Sequence, residues 1–123
     1  MVRGGDEGSM VIAVLEMTMP LGNEAVTIGA LRAFWDSTCA LPGCFGGGVF
    51  QEAGASGTAL YIEMWQDVAQ LETHIRSRDY HRLLAIMETA AALPELRFNL
   101  VAETRGLAWV EQLRLGDEGH TER

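Results

Sequence analysis

His74 is the residue of this chain best suited to proton chemistry, because imidazole titrates near neutrality and can take a proton from a weakly acidic hydroxyl. It stands three residues after Leu71, on the flank of an apolar helical stripe, where a helix borders a sheet. A structural histidine that bonds local backbone would suit the same position, and the residues alone leave both readings open. Tyr61, Glu63 and Trp65 alternate along one run and so share one strand face. Trp65 fits either a stacking wall for a planar ring or a core side chain. Glu63 is a charge on an otherwise apolar face and needs a partner if it is buried. Arg97 is the expected partner, with Glu16 as the other carboxylate able to meet it, in a structural ion pair across the sheet interior.

Other chemistries fit the residues less well. His74 and His81 are seven apart, hence about 10 Å apart along a continuous helix, too far to chelate one ion as i,i+4 histidines do. No carboxylate or cysteine sits at ligand spacing, so no metal site is expected. Gly46, Gly47 and Gly48 would make a phosphate loop only if a helix N-terminus followed; none does, and a bulged strand is expected. Arg76, Arg78 and Arg82 could draw in an anionic substrate, but a charge run beside a helix break is usually a solvated face. Cys39 and Cys44 flank the Pro42-Gly43 turn and read as two free thiols in a reducing compartment.

The elements that must position these residues follow from periodicity. MVIAVLEMTM (10–19) reads as a strand buried on both faces, stopped by Pro20. Asn23 can cap a helix whose Ile28, Leu31, Trp35 and Thr38 recur at helical spacing, with Phe34 widening the stripe. That helix ends before Pro42-Gly43. Strands are expected over 44–52 and 58–66, the second with Leu60, Ile62 and Met64 on its aliphatic face. Asp67 caps the next helix, with Val68, Leu71 and Ile75 as its core stripe. After a break at 77–79, Tyr80, Leu83, Leu84, Met87 and Ala91 continue a helical pattern to Pro94. A fourth strand, 95–104, sets Leu96, Phe98 and Leu100 against Arg97, Asn99 and Val101. The run 107–115 fits a helix turn or a short strand equally. The order is that of an α+β, ferredoxin-like split βαβ fold: a four-stranded antiparallel sheet with helices on one face. Apolar residues on the other face predict a homodimer.

The 123 residues, 48% of them hydrophobic, make one domain with a sizeable core, expected over 10–115 between disordered tails at 1–9 and 116–123. A net charge of −8 is the wrong sign for neutralising phosphates, so no nucleic-acid partner is expected. No run is long enough for a membrane span and the N-terminus lacks the order of a signal peptide, which predicts no membrane partner and a cytoplasmic protein.

The runs ALRAFWDSTCALPGCFGGGVFQE and ALYIEMWQDVAQLETHIRSRDYHRLL carry a Pro42-Gly43-Cys44 turn, Glu63-Met64-Trp65 at a strand end, an Asp67 cap, and Leu71, His74 and Ser77 on the following helix. In this combination the chain, over about 20–107, resembles the antibiotic biosynthesis monooxygenase family of dimeric α+β barrels. The resemblance implies oxygenation of a small aromatic, a quinol or a polyketide-like phenol without flavin, metal or haem, hence no cofactor. It implies His74 and Trp65 as catalytic residues and Tyr61, Glu63, Phe34, Tyr80 and Arg97 as substrate contacts. The haem-degrading branch of the fold places a tryptophan where His74 stands and a ligating histidine where Leu84 stands, so haem degradation is not implied. The other reading is a non-catalytic small-molecule-binding or stress-response protein on the same dimeric scaffold.

Overall fold

Strand β1 (Val11–Thr18) lies at the centre of a four-stranded antiparallel sheet ordered β2-β3-β1-β4 in a computed structural model that describes residues 8–54 and 57–119. β1 is followed by α1 (Glu24–Thr38), β2 (Cys44–Gln51), β3 (Thr58–Trp65), α2 (Val68–Arg76), α3 (Tyr80–Met87), β4 (Glu95–Leu100) and α4 (Leu107–Gly119). This is the expected ferredoxin-like α+β architecture; the sheet is open and does not close on itself.

The register decides which side chains meet the helices. Val11 pairs with Trp65, Ala13 with Glu63, Leu15 with Tyr61 and Met17 with Ala59. All eight are buried. They share one face, because directly paired residues point the same way. Leu31 and Phe34 of α1, Val68 and Leu71 of α2, and Tyr80 and Leu83 of α3 cover that face. The second face carries Ile12 and Val14, half-buried, then Glu16 and Thr18, exposed. β1 is therefore buried on one face only, not on both as its apolar run suggests.

The helices differ from expectation in phase. Ile28 and Trp35 of α1 are only half-buried, while Thr27 and Thr38 are buried beside Leu31 and Phe34. His74, not Ile75, completes the buried side of α2, and Ile75 is exposed. Ser77 stands in an extended conformation after α2, which resets the phase; α3 then buries Tyr80 and Leu83 and leaves Leu84 exposed. Asp67 caps α2 as expected, its carboxylate accepting from the Gln70 N–H at 2.9 Å. Asn23 makes no such side-chain bond; the chain enters α1 through a backbone turn, Asn23 N–H to Pro20 C=O at 3.0 Å.

β2 is the bulged strand its glycines suggest, with the register shifted between Cys44 and Gly46. At Gly47, φ is +137°, and a Cβ there would run into the Ile62 carbonyl and the Trp35 ring. β4 ends at Leu100 rather than running to 104, because its partner β1 starts at Val11; the last bond is Val101 N–H to Met10 C=O. The ambiguous run after it is helical, and α4 continues through residues 116–119, which the composition places in a tail. The rest of the two expected tails, 1–7 and 120–123, lies outside the described residues. Among the described residues no helix is long and apolar enough to cross a membrane.

Candidate active site

The strand period places Tyr61, Glu63 and Trp65 on the helix-covered face of β3, and the Asp67 cap fixes where α2 begins, so that His74 arrives two turns later directly over Glu63. Glu63 is 2% exposed and His74 is 3% exposed. The carboxylate of Glu63 accepts three hydrogen bonds: from the Tyr61 hydroxyl at 2.7 Å, from Trp65 Nε1 at 2.8 Å and from His74 Nε2 at 3.2 Å. A buried carboxylate is expensive unless its oxygens are satisfied, and here both are.

The charge of Glu63 acts on its neighbours. Burial, then the Glu63 charge, push the Tyr80 hydroxyl up to about 12. The same two causes, in the same order, hold the Tyr61 hydroxyl protonated well above the usual phenol range. Burial also pushes the Cys44 thiol up, with the nearby Glu63 charge a smaller contribution in the same direction.

The imidazole of His74 is boxed in by rings. Trp65 lies 5.0 Å from it, centroid to centroid, with the planes at 32°; Tyr80 meets it edge-on at 5.1 Å, and Phe34 lies at 5.6 Å. With Nε2–H given to Glu63, the neutral ring carries its lone pair on Nδ1, which is buried and has no protein partner. His74 and Trp65 form part of the wall of a cleft of about 190 Å³, completed by Leu41, Pro42, Gln70, Thr73 and Ser77. The hollow is mostly apolar with a few polar groups, the pattern of a small-molecule site, and the buried, unpartnered imidazole nitrogen belongs to a side chain of its wall.

Six of the seven singled-out side chains thus converge: His74, Trp65, Tyr61, Glu63, Phe34 and Tyr80. Arg97 does not join them. It pairs with Val14 on the open face of the sheet and makes its ion pair with Glu95 at 3.2 Å, so the expected bridge from Arg97 to Glu63 or Glu16 is replaced. The reason is parity: Glu63 pairs with Ala13, and odd-numbered residues of β1 face the helices while Val14 faces away. Arg76 and Arg82 pair with Glu72 and Asp79 on exposed helix surface, which supports the solvated-face reading of that basic run. Among the described residues no group of three or more His, Cys, Asp and Glu is placed to hold a metal ion.

Sequence reasoning misses Gln70 and Thr73 as wall residues, together with Leu41 and Pro42. Gln70, Thr73, His74 and Ser77 follow the i, i+3, i+4, i+7 spacing of one helix face, and that spacing is the available signal.

The fold is shared with known structures of low sequence identity. A conserved protein of unknown function from Bacteroides thetaiotaomicron is 18% identical, with a TM-score of 0.69 over 76% of this chain and 99% of that one. A Deinococcus radiodurans protein named for antibiotic biosynthesis monooxygenases is 16% identical, with a TM-score of 0.70 over 79% and 97%. A point variant of SnoaB, a cofactor-independent oxygenase from Streptomyces nogalater, is 14% identical, with a TM-score of 0.68 over 78% and 96%. No curated protein sequence matches the chain. The family model described as antibiotic biosynthesis monooxygenase matches residues 10–85, a span that holds β1 through most of α3 and every residue of the cluster around His74. The chain belongs to the antibiotic biosynthesis monooxygenase family.

Proposed function

We propose that this chain is a cytoplasmic, homodimeric, cofactor-independent monooxygenase that oxidises a small aromatic, a quinol or a polyketide-like phenol with dioxygen. The observation that carries the reading is the state of His74: Nε2–H is tied to a buried carboxylate, and Nδ1 is buried without a partner in a side chain that helps wall an apolar cleft.

In this reading His74 Nδ1 takes the phenolic proton. The imidazolium that forms is compensated by Glu63, whose carboxylate is already oriented by Tyr61 and Trp65, so little reorganisation accompanies the charge. The electron-rich phenolate gives one electron to dioxygen, leaving a phenoxyl radical and superoxide held side by side. Their combination forms a carbon–oxygen bond on the ring, and the imidazolium returns its proton to the peroxide. Loss of water, with the ring hydrogen leaving as a proton, gives the quinone. One phenol and one dioxygen become one quinone and one water, and all four electrons that dioxygen takes up come from the substrate. Trp65 forms a flat wall for the ring, and the apolar lining keeps water from the radical pair. Phe34 and Tyr80 hold the imidazole plane. Oxygen consumption by the purified, metal-free protein with a panel of phenols and hydroquinones tests this function; His74→Ala should slow it by about 10² or more.

The homodimer is supported by the second face of the sheet, where Ile12, Val14, Leu60, Ile62 and Met64 lie half-buried on the side opposite the residues that meet the helices. Sedimentation at micromolar concentration should give twice the chain mass, and a monomer would contradict the assembly.

A further inference from the structure

Two tryptophans and a tyrosine lie on one path from the cleft to the protein surface. Trp65 walls the cleft, and Tyr61 stands two residues before it on the same strand face. The Tyr61 ring meets the indole of Trp35 edge-on, at 6.4 Å between centroids. Trp35, half-buried, in turn lines a separate hollow of about 490 Å³ between α1 and the edge strand β2, together with the exposed side chains of Arg32, Asp36 and Phe50. The Trp35 ring can lie against β2 because residue 47 is glycine; a Cβ there would stand 3.0 Å from the ring.

The two rings nearer the cleft share one base. Glu63 Oε2 accepts from the Tyr61 hydroxyl at 2.7 Å, and Oε1 accepts from Trp65 Nε1 at 2.8 Å. A phenol or an indole that loses an electron becomes a strong acid, and a buried ring can release its proton only to a hydrogen-bonded acceptor. Tyr61 and Trp65 both have that acceptor. Tyr80, the other tyrosine of the chain, meets His74 edge-on, and its hydroxyl makes no hydrogen bond among the described residues. Of the two tyrosines, Tyr61 is the one equipped to hold a neutral radical.

We propose that Trp65, Tyr61 and Trp35 form a one-electron conduit between the cleft and the hollow at β2, with Glu63 as the proton acceptor along it. An oxygen-centred radical of the peroxyl class in the cleft takes an electron from Trp65, whose Nε1 proton passes to Glu63 Oε1. Tyr61 then gives an electron to the indolyl radical. The indole regains its proton from Glu63, and the phenolic proton moves to Oε2. A thiol of low molecular weight at the hollow supplies an electron through Trp35, and the tyrosyl radical recovers its proton from Glu63. In sum one peroxyl radical and one thiol become one hydroperoxide and one thiyl radical. The thiol proton reaches the peroxide through solvent, and every protein group ends as it began. The conduit does not depend on the oxygenation reading: it disposes of oxidising equivalents that stray in the cleft, and neither phenol nor dioxygen enters its test.

The test is flash photolysis of the full chain, without dioxygen, with a tris-bipyridyl ruthenium complex and an electron-accepting quencher. The cationic ruthenium(III) that forms is drawn to a protein of net charge −8 and oxidises its accessible rings. Transient absorption and electron paramagnetic resonance should show a neutral tyrosyl radical in the parent. Tyr61→Phe should lose it, and Trp35→Phe, which puts a ring too hard to oxidise at the entrance, should lose most of it. Trp109→Phe, which removes the exposed tryptophan of α4, should leave the tyrosyl signal as in the parent. Glu63→Gln, which removes the base, should leave the unpaired electron on tryptophan with no tyrosyl signal. Tryptophyl radicals alone in the parent, a tyrosyl signal that survives Tyr61→Phe, or a Trp35→Phe signal equal to the parent's overturns the proposal. The first of these outcomes needs no variant, so it decides even where a variant does not fold.

Discussion

Glu63 Oε2 lies 3.2 Å from His74 Nε2, with both side chains buried, and this contact ties the sheet to α2 at the wall of the cleft. The same oxygen accepts from Tyr61 while Oε1 accepts from Trp65, so one carboxylate organises three neighbours. Glu63→Ala would orphan three buried polar groups at once. It should cost about 3 kcal/mol or more, at about 1–3 kcal/mol for each buried polar group left unsatisfied. Urea unfolding should show a lowered midpoint of that order; a loss under about 1 kcal/mol would mean the network relaxes without cost.

Glu63→Gln separates stability from chemistry. Trp65 can only donate, so the amide oxygen must stay opposite Nε1, and the new NH₂ must face Tyr61 and His74. His74 Nε2 then becomes the acceptor and the ring proton moves to Nδ1. The variant should fold and lose on the order of 10² in rate. Nitrogen NMR of the histidine ring should report the Nε2–H tautomer in the parent and the Nδ1–H tautomer in the variant, and an unchanged tautomer would remove Glu63 from its positioning role.

Two glycines give opposite expectations. Gly47→Ala places a methyl against the Ile62 carbonyl and the Trp35 ring at φ +137°, and should destabilise by about 1–3 kcal/mol or more. Gly29→Ala, in the middle of α1 with open space at its Cβ, should stabilise by about 0.5–1 kcal/mol. Thermal melts of both variants check the pair. Equal behaviour would contradict the bulged geometry of β2.

Stability should also fall at high pH. Tyr80 titrates at about 12 in the folded chain against 10 for a free phenol, and Tyr61 is shifted further in the same direction. Below about pH 10 both states keep these protons and pH has no effect through them. Between about pH 10 and 12 the unfolded chain loses protons that the folded chain retains, so stability drops, by up to about 1.4 kcal/mol per pH unit for each tyrosine. Urea midpoints from about pH 9 to 12 should decline with that onset, and Tyr80→Phe should make the decline shallower.

Most of this site is legible from strand parity. Tyr61, Glu63 and Trp65 alternate, so any fold burying one of them on a strand buries all three together. The partner of Glu63 is not legible in the same way. Arg97 looks suitable when charge is matched to charge, but its parity relative to β1 sends it to the open face, and pairing register is not visible before the strands are aligned. His74 reads as a flank residue because Ile75 looks like the better core position. The aromatic box of Phe34, Trp65 and Tyr80 and the carboxylate of Glu63 make a histidine the better fit there. The break at 77–79 foreshadows the extended residue Ser77, yet its effect on the phase of α3, burying Leu83 and exposing Leu84, depends on a dihedral angle that composition does not encode. Gln70 goes unnoticed because its seat is the absent side chain of Gly43, far off in sequence.

If His74 supplies the base for an oxygenation in which the substrate provides all the electrons, the most direct measurement is dioxygen consumption with hydroquinone. It uses protein dialysed against chelator and given no added cofactor, for the parent and for His74→Ala. The parent should consume one dioxygen per quinone formed, and the variant should still fold and run slower by about 10² or more. Equal rates in the two proteins would make His74 structural, and no oxygen consumption by the parent with any phenol would leave a binding protein on an oxygenase scaffold.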